Sequence, residues 1–213
     1  MTYSLDLDQY ILEHIDVESD ILSDLNRQTH LKILRSRMIS GHLQGQILKM
    51  ICRMINPLNV LELGTFTGYS AISMALGLSR NDAHIDTIEI NDELQSCILE
   101  FFRKAKVENR ISLHIGPAID IIPRLEKKYD LVFIDADKRQ YPEYYNLIFE
   151  HVNVGGYIIA DNILWDGKVV ENVAKNDTYT KGILEFNEMI KNDCRVEKVI
   201  LPVRDGLFLI RKK

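Results

Sequence analysis

Three cysteines, Cys52, Cys97 and Cys194, are all that this 213-residue chain has for sulfur chemistry. They are odd in number, far apart and never spaced as CxxC. Neither a disulfide framework nor a zinc site is expected, and a reducing cytoplasm is the simplest home. Six histidines are scattered without HxH or HxxH spacing, so they read as solvated or packing residues. No apolar run approaches the ~20 residues that span a bilayer, so no membrane segment is expected. The first ten residues, MTYSLDLDQY, are acidic and lack the apolar stretch of a signal peptide. Basic charge is also short. The net charge is −5, from 26 Lys and Arg against 31 Asp and Glu, which argues against a broad surface for gripping nucleic acid. No linker, repeat or low-complexity segment interrupts the chain. Its 46% hydrophobic and 27% charged content is that of a globular protein. At this length it buries one large core.

What is present is alternation. Two short amphipathic helices fit 6–36, and GHLQGQILKMICRMI (41–55) places Leu43, Ile47, Met50, Ile51 and Met54 on one helical face. From there apolar strands and helices take turns. PLNVLELG is a strand and TGYSAISMALGL a helix; HIDTIEI is a strand and DELQSCILEFFRKAKV a helix. RISLHIG is a strand and AIDIIPRLEKK a short helix; YDLVFID is a strand and YPEYYNLIFEHV a helix. GGYIIADN is a strand and TKGILEFNEMIKND a helix. Two last apolar runs flank RDG as a hairpin. Five parallel-type units and this closing hairpin predict an α/β fold: one doubly wound, mostly parallel seven-stranded sheet, with N-terminal helices and a C-terminal antiparallel hairpin. The whole of 1–213 reads as a single domain, with 1–37 a helical extension and 38–213 the core. Residues 165–178, the least patterned stretch, are a candidate active-site loop.

In an open parallel sheet, ligands bind beyond the carboxyl ends of the strands. The informative polar residues fall there. The first strand ends in ELGTFTGYS, where Gly64 and Gly68 permit a tight strand-to-helix turn. The spacing is neither GxGxxG nor a P-loop, so pyrophosphate and nicotinamide chemistry are disfavoured. Glu89 ends the second strand, at the offset where a carboxylate accepts both hydroxyls of a ribose. FIDADK (133–138) ends the fourth strand with Asp135, Asp137 and Lys138 packed together, and the fifth ends at Asp161–Asn162. Turn chemistry alone explains either acidic pair. Both pairs at one sheet edge favour an all-oxygen cation site of Asp135, Asp161 and Asn162, suited to Mg²⁺ or Ca²⁺ rather than Zn²⁺.

Six motifs in order carry a family resemblance: Met38–Gln46 with its GQ, LELGTFTGYS (61–70), GPA (116–118), DADK (135–138), DNILWDG (161–167) and LPVRDGL (201–207). From about Met38 onward the chain resembles the class I, cation-dependent O-methyltransferases of the caffeoyl-CoA and catechol type, which have a Rossmann-like methyltransferase fold. The resemblance implies S-adenosylmethionine as cofactor, with Glu62, Gly64, Thr65 and Ser70 at its methionine end and Ser40 where relatives often have threonine beside the cofactor and metal. It further implies Glu89 on the ribose, Ala118 at the adenine and Asp137 as a further contact. It implies a divalent cation (Mg²⁺, with Ca²⁺ and Mn²⁺ not separated) on Asp135, Asp161 and Asn162. Lys138 matches a lysine that acts as general base or charge stabiliser beside Asp135, and Asp166 falls near the substrate. Trp165, the only tryptophan, either walls the substrate pocket or anchors the loop. Asp166 replaces an asparagine of the plant relatives. The acceptor implied is a small vicinal dihydroxy aromatic and the assembly a homodimer. A branch of the family methylates hydroxyuridine in tRNA, which would call for a basic rim drawn from RKAK (103–106), Lys138–Arg139 and the terminal RKK. A cofactor-binding scaffold without activity would lack the acids or Lys138, and all are present.

Overall fold

The computed structural model describes residues 5–213; the first four residues of the acidic N-terminal stretch lie outside the described residues. In chain order the elements are α1 (Leu5–Glu13), α2 (Asp20–Lys32), α3 (Gly41–Ile55), β1 (Asn59–Leu63), α4 (Tyr69–Gly77), β2 (His84–Glu89), α5 (Gln95–Lys104), β3 (Ile111–Ile115), α6 (Ala118–Ile121), β4 (Tyr129–Ile134), α7 (Tyr141–Phe149), β5 (Val152–Ala160), α8 (Thr178–Asn192), β6 (Val196–Leu201) and β7 (Leu207–Lys212). The strands form a seven-stranded sheet in the order β3-β2-β1-β4-β5-β7-β6. β5–β7 and β6–β7 pair antiparallel, while β1–β4, β2–β3 and β4–β5 pair parallel. This is the doubly wound sheet with a terminal hairpin that the alternation predicts.

The chain divides into two compact units. One comprises the N-terminal helices through Leu58 with Thr65–Gly116; the other comprises Asn59–Gly64 with Pro117–Lys213. In the first, α3 carries Leu48 and Cys52 on its buried face, and nearly every residue of α4 is buried. In the second, Tyr129 and Leu131–Ile134 of β4 are all fully buried. A strand covered on both faces loses the apolar–polar alternation, which is why YDLVFI reads as a continuous run. Burying each such side chain stabilises by about 1.5–3 kcal/mol.

Two expected elements differ in extent. The helix expected over AIDIIPRLEKK stops at Ile121 and continues only as a 3₁₀ stretch, Ile122–Arg124, because Pro123 has no N–H to extend the ladder. β5 begins at Val152 rather than Gly155. The β4–β5 register shifts between Tyr129 and Leu131, where β5 takes three more residues than β4, and Gly155 takes φ +82° within that irregular stretch. The loop after β5 is not featureless: Trp165–Val170 is a 3₁₀ stretch broken by left-handed Asp166 and Gly167.

Candidate active site

In the first unit the polar residues gather at the end of β2. Glu89 is buried. Its Oε2 accepts from Phe66 N at 2.7 Å and its Oε1 from Asn91 N at 2.8 Å. Burial raises its pKa, and the amides of Asn91, Phe66 and Ile90 pull it back. A carboxylate offers about four acceptor positions, more than the three backbone amides that act on it. Phe66 is itself left-handed at φ +50°, a conformation uncommon for a bulky residue, and it carries the turn that aims its N–H at Glu89. Thr65 is buried. Its hydroxyl pairs with Thr87 Oγ1 at 2.5 Å and its N–H donates to Ile88 O at 3.2 Å. Ser40, which precedes α3, and Ser70, in the first turn of α4, are also buried.

In the second unit β4 and β5 lie side by side with Ile134 opposite Ala160, so Asp135 and Asp161 follow neighbouring strand ends. Glycine shapes this edge. A Cβ on Gly64 would lie 2.2 Å from Asp135 O, and Gly64 sits at φ +96°. Its close approach is to the chain's own backbone. Gly182 of α8 serves likewise, since a Cβ there would lie 2.4 Å from Lys138 O. That contact seats α8 on the 3₁₀ turn Lys138–Gln140.

Lys138 is not the surface ion pair that a lysine in DADK suggests at first sight: it is only 7% exposed. Its Nζ donates to Asp135 Oδ1 at 2.7 Å and to Tyr141 Oη at 2.6 Å. The Tyr141 hydroxyl lies 3.0 Å from Ile134 O and 3.1 Å from Asp161 O, and so ties both strand ends to the lysine. Burial pushes the Asp135 carboxyl up to about 6; Lys138 lowers it, the Asp161 charge raises it, and Arg204 lowers it. Asp137 faces elsewhere. It caps the 3₁₀ turn, accepting from Arg139 N at 3.0 Å and Nε at 2.9 Å, and Arg139 holds its pKa below the usual value. Glu62 is fully buried on β1, opposite Phe133 in register, and Ala118 opens α6.

The loop after β5 is held by Asp205. Asp166 N donates to Asp205 Oδ1 at 2.6 Å, Asn162 Nδ2 to Asp205 Oδ2 at 3.3 Å, and Leu164 N to Asp205 O at 3.0 Å. Asp166 is exposed. Trp165 stacks on Tyr179, with centroids 6.2 Å apart and planes 11° apart. The Arg139 guanidinium lies 4.9 Å from the Tyr179 ring centre.

The O-methyltransferase family profile matches residues 12–213. The chain belongs to the O-methyltransferase family. Caffeoyl-CoA O-methyltransferase 5 of Nicotiana tabacum is 36% identical over 96% of this chain and 90% of its own length. Among solved structures, the O-methyltransferase from Bacillus cereus in complex with SAH superposes with TM-score 0.91 at 27% identity, covering 98% of this chain and 97% of that one. The O-methyltransferase TomG from Streptomyces achromogenes, involved in tomaymycin synthesis and solved with SAM, gives TM-score 0.90 at 26% identity, covering 98% and 96%. No helix among the described residues is long and apolar enough to cross a membrane.

Among the described residues of this O-methyltransferase, no group of three or more His, Cys, Asp or Glu is arranged to hold a metal ion. Asp135 and Asp161 supply two carboxylates and Asn162 an amide, an all-oxygen set that suits a hard divalent cation. The mutual repulsion of Asp135 and Asp161 in a buried setting is what such a cation would relieve, so the residues fit the group. Sequence reasoning missed Tyr141, Asp205 and Tyr179, and named Arg139 only as a piece of a basic rim. Tyr141 was hidden in an ordinary helix start, YPEYYN. Asp205 sits in RDG, which signals a turn and says nothing of a carboxylate reaching back to the loop after β5.

Proposed function

We propose that the enzyme transfers the methyl group of S-adenosylmethionine to one hydroxyl of a small catechol-like vicinal diol, with a divalent cation on Asp135, Asp161 and Asn162. The observation that carries this is the buried Lys138 paired with Asp135 at 2.7 Å, with Asp161 after the adjacent strand end. An ammonium has three donors, and Asp135 and Tyr141 use two. The third serves the acceptor oxygen, where the ammonium steadies the oxyanion; to take the hydroxyl proton instead, Lys138 would have to act as the neutral amine, with two donors and a lone pair. The cation would hold both oxygens of the diol and lower the pKa of one hydroxyl. Glu89 accepts the ribose hydroxyls on the acceptor capacity its backbone amides leave. Ser40, Glu62, Gly64, Thr65, Ser70, Ala118 and Asp137 complete the cofactor contacts, with Trp165 and Asp166 toward the acceptor. The SAH and SAM complexes of the Bacillus and Streptomyces relatives support the cofactor, and the tobacco relative's name supports a catechol-type acceptor.

The test is steady-state transfer from labelled cofactor to matched catechols and phenols and to bulk tRNA, each with and without EDTA. Catechols should react, matched phenols far more slowly, and EDTA should stop the reaction. Equal rates on catechol and phenol would refute chelation. Transfer to tRNA with none to any catechol would move the enzyme to the RNA-modifying branch. The same reading includes a homodimer in a reducing cytoplasm; light scattering that gives a monomer would remove the dimer.

A further inference from the structure

Resting on the cation reading above, we infer that Asp205 is a positioning residue that locks the Asn162 amide with its oxygen toward the cation. An asparagine side chain can present either end, and the two are nearly the same shape. Asn162 has no steric reason to choose. Its backbone is left-handed at φ +59°, and its own N–H is already given to Asp161 Oδ1 at 2.7 Å. Asp205 supplies the choice. An ionised carboxylate only accepts, so its Oδ2 takes Asn162 Nδ2 at 3.3 Å and would repel the amide oxygen. With the nitrogen committed to Asp205, the oxygen points away from it, and a neutral side chain becomes a fixed hard-oxygen donor. The other carboxylate oxygen takes Asp166 N at 2.6 Å. Oδ1 therefore splints the loop while Oδ2 sets the amide. Asp205 is held in turn by the turn before β7, where Gly206 N donates to Val203 O at 2.9 Å. Metal-ligating side chains are commonly oriented by such a partner.

The test is a cycle of Mn²⁺ affinities read by electron paramagnetic resonance, without cofactor or acceptor. Asp205→Asn can offer Asn162 either end of an amide, so the lock is lost while the shape is kept. Its Mn²⁺ dissociation constant should rise about tenfold or more. In an Asn162→Asp background both ends of residue 162 are oxygens and no lock is needed. There Asp205→Asn should leave Mn²⁺ affinity unchanged or tighten it, because two facing carboxylates no longer repel. The same loss in both backgrounds would show a plain charge effect and overturn the lock, as would wild-type affinity in Asp205→Asn. If Asp205→Asn does not fold, the wild type still decides: the Asn162 side-chain amide protons should exchange slowly with solvent by NMR, and fast exchange overturns the lock. A wild-type protein that takes up no Mn²⁺, or takes it up equally after Asp161→Ala, instead overturns the cation reading itself.

Discussion

Glu89, buried, and Asp135, half-buried, both stand at the ends of strands, and the molecule treats them in opposite ways. Glu89 is held by backbone amides at 2.7 and 2.8 Å. Asp135 is held by the Lys138 ammonium at 2.7 Å and pressed by the Asp161 charge. Neutral dipoles fix a carboxylate without cancelling its charge, which suits it to neutral hydroxyl donors. Asp135 has one ammonium partner, Lys138, and the Asp161 charge still raises its pKa. On the proposed reading, the contrast would separate a subsite for the ribose hydroxyls from one for a cation, though each begins as an acid at the end of an apolar strand.

The largest break in the comparison should come from Asp161→Ala. Loss of one carboxylate of the pair should lower methyl transfer by about three orders of magnitude, as expected for losing a Lewis acid worth several kcal/mol. Calorimetric S-adenosylmethionine affinity should change little. Full activity in that variant would remove the cation from the second cluster. Next is Glu89→Gln, which keeps the shape but turns an acceptor into a mixed donor. Removing a charged hydrogen-bond partner of the ribose costs about 1.5–3 kcal/mol, so the cofactor dissociation constant should rise about ten- to a hundredfold while Mn²⁺ uptake stays the same. Unchanged cofactor affinity would place the ribose elsewhere.

The pH response should sharpen the contrast further. Asp135 has its folded pKa raised to about 6 from 3.8, so its contribution to metal-free stability is fully present below the lower value and lost as pH rises through the upper one. A cation binds the deprotonated form. The rise in Tm on adding Mn²⁺ should therefore be small at low pH and grow as pH passes through about 6. Differential scanning calorimetry across that window would show it, and a Tm gain independent of pH would contradict the assignment. The smallest effect should follow Asp193→Ala, beyond either cluster. Asp193 Oδ2 accepts from Tyr145 Oη at 2.9 Å and Oδ1 from Arg195 Nε at 2.9 Å, and Arg195 holds its pKa well below the carboxylate range. That stabilisation is present above the ordinary carboxylate pKa and lost as pH falls. The substitution should cost about 1–3 kcal/mol and lower Tm by several degrees without touching transfer.

The sheet was legible because strands buried on both faces write themselves as apolar runs, and the helices between them keep their period. The acids at the strand ends were legible for the same reason: a polar residue ending such a run stands out. Asp135 beside Asp161 follows from adjacent fourth and fifth strands. What the sequence did not reveal lies where one residue reaches across many. Tyr141 reads as a helix start and bridges two strand ends. Asp205 reads as a turn former and grips a loop some forty positions earlier. Nor could spacing tell that Asp137 would turn to Arg139 while Asp135 takes the lysine.

The stack of Trp165 on Tyr179 has a practical use. Trp165 is the only tryptophan in the chain, and it stands three residues after Asn162 on the loop that Asp205 grips. Selective excitation of indole emission would thus report from one known place, with no dye or engineered label. A cation, a cofactor or an acceptor that shifts this loop would change the quenching between the two rings. Each could then be titrated by intrinsic fluorescence before any substrate is identified.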